Sequence, residues 1–248
     1  MSPVVLITGG SRGIGAATAL LAASQGYAVA VNYTTNSLAA DEVTRLIRAQ
    51  GGQAITVQGD VAVEADVLAM FNKVDAKLGR LSALVNNAGV VDATSRVDAM
   101  TLARLQRMFA VNVFGSFLCA REAVKRMSTR YGGAGGAIVN VSSAASRIGS
   151  PGQYVDYAAS KGAIDTFTQG LAKEVATEGI RVNAVRPGII ATDIHASGGL
   201  PHRARDTAPQ VPMQRAGTAT EVAQAIVWLL GDNASYTTGA LLDIAGGR

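Results

Sequence analysis

The sequence predicts an α/β fold: a doubly wound, seven-stranded parallel sheet with helices on both faces. Three observations carry this expectation. Short β-branched or apolar runs recur along the 248 residues. Longer segments with helical spacing separate them. The runs are apolar throughout instead of alternating, as strands buried on both faces are.

The predicted strands are Val4 to Ile7, Ala28 to Val31, Ala54 to Val57, Ala83 to Val85, Ala137 to Val141, Arg181 to Val185 and Leu241 to Ile244. Leu38, Val43, Leu46 and Ile47 mark one intervening helix, and Val67, Phe71, Val74 and Leu78 mark another. Strand and helix alternate almost throughout, and parallel strands joined by helical crossovers wind right-handedly. The architecture is Rossmann-like. The glycine cluster from Tyr131 to Gly136 ends a helix and turns into the fifth strand. The longest stretch without clear periodicity runs from about 189 to 212. With Gly198, Gly199, Pro201, Pro209 and Pro212, it is expected to be a mobile substrate loop.

Composition narrows the function. With 48% hydrophobic and 16% charged residues, residues 1–248 are expected to form one domain. No apolar stretch reaches the length of a membrane span, and Met1-Ser2-Pro3-Val4 lacks signal-peptide character. A soluble, cytoplasmic protein is expected, with no membrane partner. The net charge of +4 is spread among scattered lysines and arginines, which suits an anionic small ligand better than nucleic acid. His195 and His202 have no Cys or carboxylate at ligand spacing, so no metal is expected and both are read as solvated loop residues. The single Cys119, among apolar helical neighbours, is read as a buried structural thiol.

Directly after the first strand comes Thr8-Gly9-Gly10-Ser11-Arg12-Gly13-Ile14-Gly15, followed by a helix. Glycines let backbone approach a pyrophosphate, whose charge the helix N-terminus favours. The spacing is not G-x-G-x-x-G, and a tight strand-to-helix turn explains it equally well in isolation. A NAD site carries a carboxylate about 20 residues onward. None is present: the second strand runs into Asn32-Tyr33-Thr34-Thr35-Asn36, and the first acid is Asp41, inside the next helix. A 2′-phosphate would meet no repulsion there, and Arg12 offers it a charge-assisted contact. The cofactor expected is therefore NADP(H) in preference to NAD(H). Asp60-Val61 after the third strand and Asn86-Asn87-Ala88-Gly89 after the fourth fall at the ligand-binding carboxyl edge, with Asp60 a candidate acceptor for the adenine amine. Each taken alone also reads as a cap or a satisfied turn.

Reducing a carbonyl needs a hydride on carbon and a proton on oxygen. Tyr157 and Lys161, four residues apart on one helix, share a face, and a neighbouring ammonium lowers a phenol's pKa. Ser143, just past the fifth strand, can hold the substrate oxygen; Ser142 competes, and spacing does not separate the two. Tyr154 meets Ala158 four residues on, not a lysine. Arg203 and Arg205 could meet an acidic carrier or substrate, although exposed loop arginines usually signify nothing more.

Together Thr8-Gly9…Gly13…Gly15, Asn86-Asn87-Ala88-Gly89, Ser143, Tyr157…Lys161 and Pro187-Gly188 resemble the short-chain dehydrogenases/reductases over essentially the whole chain. The resemblance implies a homotetramer or homodimer. It selects Ser143 over Ser142, adds Asn112 as a fourth catalytic residue supporting a water-mediated proton relay, and gives Lys161 a contact to the nicotinamide ribose. It sets the segment from Pro187 and Gly188 through Ile190 to Thr192 against the carboxamide side of the nicotinamide. Within the family the chain is similar to 3-oxoacyl-carrier-protein reductases, sugar dehydrogenases and uncharacterised bacterial relatives, which implies a small-molecule or carrier-bound carbonyl substrate. A cofactor-binding redox sensor without turnover is the alternative function.

Overall fold

The computed structural model describes residues 2–192, 198–200 and 202–248. Its sheet is seven-stranded in the order β3-β2-β1-β4-β5-β6-β7, from β1 (Val4–Ile7), β2 (Ala28–Tyr33), β3 (Ala54–Gln58), β4 (Ala83–Asn86), β5 (Gly136–Val141), β6 (Ile180–Pro187) and β7 (Leu241–Ile244). Every pairing is parallel. All seven predicted strands form, five of them longer by one to three residues.

Alternate residues of each strand feed opposite cores, as a two-residue side-chain period dictates. Val5 and Ile7 of β1 point to one side, where α1 (Gly13–Ser24), α2 (Ser37–Ala49) and the late helix Ala219–Leu230 pack. Val4 and Leu6 point to the other, beneath α3 (Glu64–Leu78), the helix Gly115–Met127 and the long helix Val155–Val175. Numbered in chain order, the helices after α3 are α4 (Leu102–Phe109), α5 (Gly115–Met127), α6 (Ala145–Ile148), α7 (Val155–Val175), α8 (Arg203–Thr207) and α9 (Ala219–Leu230). Cys119 is buried on α5, where burial pushes its thiol up to about 12.

Two departures from the sequence reading matter for the site. A π-helical turn, Ala110–Phe114, joins α4 to α5 and carries Asn112. The stretch expected to be an unstructured loop contains α8 and a 3-10 turn, Ala208–Gln210. His195 and Pro201 lie outside the described residues, whereas His202 is exposed. Among the described residues no helix is long and apolar enough to cross a membrane.

Candidate active site

The register of β1, β4 and β5, with Ile7 opposite Val85 and Asn86 opposite Asn140, brings the ends of three strands to one edge of the sheet. Strand order reverses between β1 and β4, the crevice where open α/β sheets take ligands. A groove of about 630 Å³ runs along this edge. Gly9, Ser11, Arg12 and Ile14 from the turn after β1, Tyr33 and Thr34 at the end of β2, and Asp60, Val61, Asn87, Ala88, Gly89 and Thr192 line it.

The glycines are required sterically. Gly9 and Gly13 take φ of 59° and 55°, in the left-handed region. A Cβ on Gly9 would approach the Ala88 Cα to 3.0 Å, and one on Gly15 would lie 2.4 Å from the Gly9 carbonyl oxygen. Gly15 is thus beneath the turn, not on the groove surface. Thr8 and Asn87 lock the turn to β4: the Asn87 and Ala88 amides donate to Thr8 Oγ1 at 2.9 and 3.0 Å, and Asn87 Nδ2 donates to the carbonyls of Thr8 and Gly9. Arg12 occupies the N-cap of α1 without a capping side-chain bond, so the helix's first amides have no side-chain acceptor.

Asn32 does not reach the groove. Its side chain is buried, with Oδ1 accepting from the Gly9 amide at 3.0 Å and Nδ2 donating to the carbonyls of Val57 and Gly59, so it braces the turn from behind. Asp60 keeps a place on the groove while its Oδ1 accepts from the Ala62 amide. Residues not predicted as binding residues also line it, among them Thr35, Asn36, Val90, Val91 and Arg107. Their spacing carries no distinguishing signal.

A second, smaller pocket adjoins the groove at Val91, which lines both. Tyr157, Tyr154, Ala144, Ala145, Ile148, Pro187, Gly188, Ile189 and Arg203 form its walls. Pro187 and Gly188 therefore meet this pocket and not the groove. Ile190 meets neither: its side chain is buried against Gly217. Tyr154, a bystander on spacing alone, is a wall residue.

At the end of β5, next to Ala144 and Ala145 of this pocket, the two serines separate. Ser142 is buried and donates to the main-chain oxygen of Lys161 at 3.2 Å, whereas the Ser143 hydroxyl accepts the Ala145 amide at 3.1 Å and acts on the Tyr157 phenol. Lys161 Nζ donates to the Val141 carbonyl at 2.7 Å and lies 5.6 Å from the centre of the Tyr157 ring. Burial lowers the lysine to about 8. Burial also raises Tyr157 above its ordinary value, opposed by the Ser143 hydrogen bond and by the charge of Arg203. The expected lowering of Tyr157 by Lys161 is therefore corrected: desolvation prevails.

Asn112 is fully engaged. Oδ1 accepts from the Val90 amide at 2.8 Å, and Nδ2 donates to the Val90 carbonyl and to Ser160 Oγ. It pins the strand-end segment after β4 to α7. A Cβ on Gly89 would sit 3.5 Å from Asn112 Oδ1 and 3.6 Å from Lys161 Nζ, so the bare glycine leaves both polar groups facing one small space.

This geometry has close relatives. A family model described as enoyl-(acyl carrier protein) reductase matches residues 9–248. A Serratia marcescens short-chain dehydrogenase/reductase, solved as a double mutant, superposes with a TM-score of 0.90 at 33% identity, covering 99% of this chain and 97% of that one. The chain belongs to the short-chain dehydrogenase/reductase family. It is also 60% identical over 245 residues to the protein described as uncharacterized oxidoreductase YgfF of Escherichia coli strain K12, covering 99% of each chain. It is 40% identical to a 3-oxoacyl-[acyl-carrier-protein] reductase of Synechocystis, covering 98% of this chain and 96% of that one. Membership makes this short-chain dehydrogenase/reductase an oxidoreductase of a family that uses NAD(P) cofactors in hydride transfer.

Proposed function

We propose that the protein is an NADP(H)-dependent reductase of a ketone or aldehyde, or in reverse an alcohol dehydrogenase, with Tyr157 as its general acid and base. The observation that carries this reading is Tyr157 in the wall of the smaller pocket, which meets the long groove at Val91, with Lys161 Nζ 5.6 Å from its ring centre. Bound in that groove, the nicotinamide supplies or accepts the hydride. The chain's own residues do the rest.

Gly9, Ser11, Gly13 and Ile14, with the α1 N-terminus, hold the pyrophosphate, on a turn that Gly15 permits and Asn32 braces. Arg12 takes the 2′-phosphate; the lack of any acid among Tyr33, Thr34, Thr35 and Asn36 supports NADP(H). Asp60 and Val61 flank the adenine. Asn87, Ala88, Gly89 and Thr192 line the middle of the site, and Pro187 and Gly188 close the reacting end. Ser143 holds the carbonyl oxygen, and Tyr157 donates the proton to it. Lys161, a proton short of permanent charge near pH 8, resupplies Tyr157 through water and contacts the ribose, while Asn112 keeps the segment around Val90 in register. All of residues 1–248 serve one catalytic domain, working in the cytoplasm as a homotetramer or homodimer on a small-molecule or carrier-bound carbonyl.

A panel of ketones, aldehydes and 3-oxoacyl thioesters, followed by loss of nicotinamide absorbance, tests the reading. Oxidation of NADPH faster than NADH is expected, with Arg12→Ala reducing that preference. Cofactor binding with no turnover of any carbonyl would instead favour a sensor, and faster use of NADH would overturn the cofactor assignment.

A further inference from the structure

The smaller pocket is lined mostly by apolar side chains. Val91, Ala144, Ala145, Ile148, Pro187 and Ile189 make a greasy wall around the Tyr157 hydroxyl. Among the described residues its charged side chains are Arg203 and Arg248, and no carboxylate side chain lines it. Such a pocket attracts anions.

Arg203 is placed differently from its neighbour. Arg205, two residues on, is exposed and paired with Asp206 at 2.9 Å. Arg203 is half-buried, and its guanidinium carbon lies 4.9 Å from the centre of the Tyr154 ring. Its backbone amide donates to the Leu200 carbonyl at 3.0 Å, but among the described residues its guanidinium has no hydrogen bond and no ion pair; the ring is its contact. Tyr154 is itself buried at the N-cap of α7, three residues before Tyr157, so the platform under the arginine and the proton donor share one helix start. A guanidinium held over an aromatic face keeps its forked N–H donors available for a carboxylate or phosphate. Its charge already reaches the Tyr157 phenol.

We propose that Arg203, seated on Tyr154, selects the substrate, and that this substrate is a compact carbonyl compound carrying an anionic group a few bonds from the carbonyl. The proposal rests on Tyr157 as the proton donor. The pocket's volume of about 80 Å³ suits a compact substrate. Anionic oxygens at Arg203 set the carbonyl oxygen against Tyr157 and Ser143, with the apolar wall enclosing the carbon chain between them.

Two matched pairs test this in the NADPH-loaded protein: acetoacetate against methyl acetoacetate, and dihydroxyacetone phosphate against dihydroxyacetone. In wild type at least one anionic member should exceed its neutral partner about tenfold or more in kcat/KM, and which pair does so tells carboxylate from phosphate. Arg203→Met should erase that ratio, and Arg203→Lys should keep part of it. Preference for the neutral members, for a neutral 3-oxoacyl thioester, or an unchanged ratio in Arg203→Met would overturn the proposal while leaving the reductase reading intact. If no carbonyl turns over, the reductase reading fails, and calorimetry with acetoacetate and inorganic phosphate on the NADP⁺-loaded protein decides the anion site. Binding lost at least tenfold in Arg203→Met supports the site; no binding by wild type removes it.

Discussion

Burial acts on Lys161 and Tyr157 through the same rule, disfavouring whichever form is charged, so the lysine falls to about 8 while the tyrosine rises. Near neutral pH the ligand-free protein thus holds a protonated phenol ready to donate. Below about pH 8 both folded and unfolded chains carry the ammonium, and the folded chain bears its burial cost. Between about 8 and the ordinary lysine value of 10.5 only the folded chain sheds the proton, so this residue's contribution to stability improves with pH. Stability of Lys161→Met relative to wild type should accordingly fall by about 3 kcal/mol between pH 7 and 10.5, at about 1.4 kcal/mol per pKa unit. Urea unfolding at the two pH values measures it, and a constant difference would contradict the assignment. At this scale the sequence showed which residues meet but not what they do to one another. Lys161 and Tyr157 share a face, yet the sign of the tyrosine shift depends on burial and on Arg203, 46 positions away in the chain by its number. Asn32 misled for a related reason: β2 is buried on both faces, so no alternation tells which way its side chain points.

The elements were more legible than the residues. Each strand was visible because continuous β-branched runs have few other uses, and the turn after β1 was visible because glycine is the residue that fits it. Gly15 shows how strict that fit is. A Cβ there would lie 2.4 Å from the Gly9 oxygen, 2.6 Å from Asn87 Nδ2 and 2.9 Å from the Gly10 Cα, two of the three being backbone. Gly15→Ala should therefore destabilise the fold by about 1–3 kcal/mol and weaken NADPH binding, as overpacked sites do. Gly170→Ala on α7, with nothing within 4 Å of its Cβ, should instead stabilise by about 0.5–1 kcal/mol. Thermal unfolding of both variants checks the contrast; equal effects would refute the steric argument. The short α8 was not legible, because five residues complete too little of a helix to show a hydrophobic period. Nor was the π turn at Ala110–Phe114, which shifts the helical phase without changing composition.

Across the whole molecule, parallel register divides the work. The β1–α1 turn, β2 and β4 contribute the long groove, while β5, α7 and α8 contribute the smaller pocket, and Val91 marks their meeting. That division was readable from the order of motifs along the chain, since the glycine turn, Asp60, Asn86 to Gly89 and Ser143 each follow the carboxyl end of a predicted strand, and Tyr157 and Lys161 come on the helix after Ser143. The pocket's ownership by Tyr154 and Arg203 was not, because it depends on where α8 folds back. If the division is real, cofactor binding and proton transfer are separable by removing one oxygen atom. The measurement that tests this most directly is Tyr157→Phe, assayed for NADPH affinity by calorimetry and for turnover with the best carbonyl of the panel. The account predicts affinity close to that of wild type and turnover reduced by about 10²- to 10⁴-fold; turnover near the wild-type rate would contradict it.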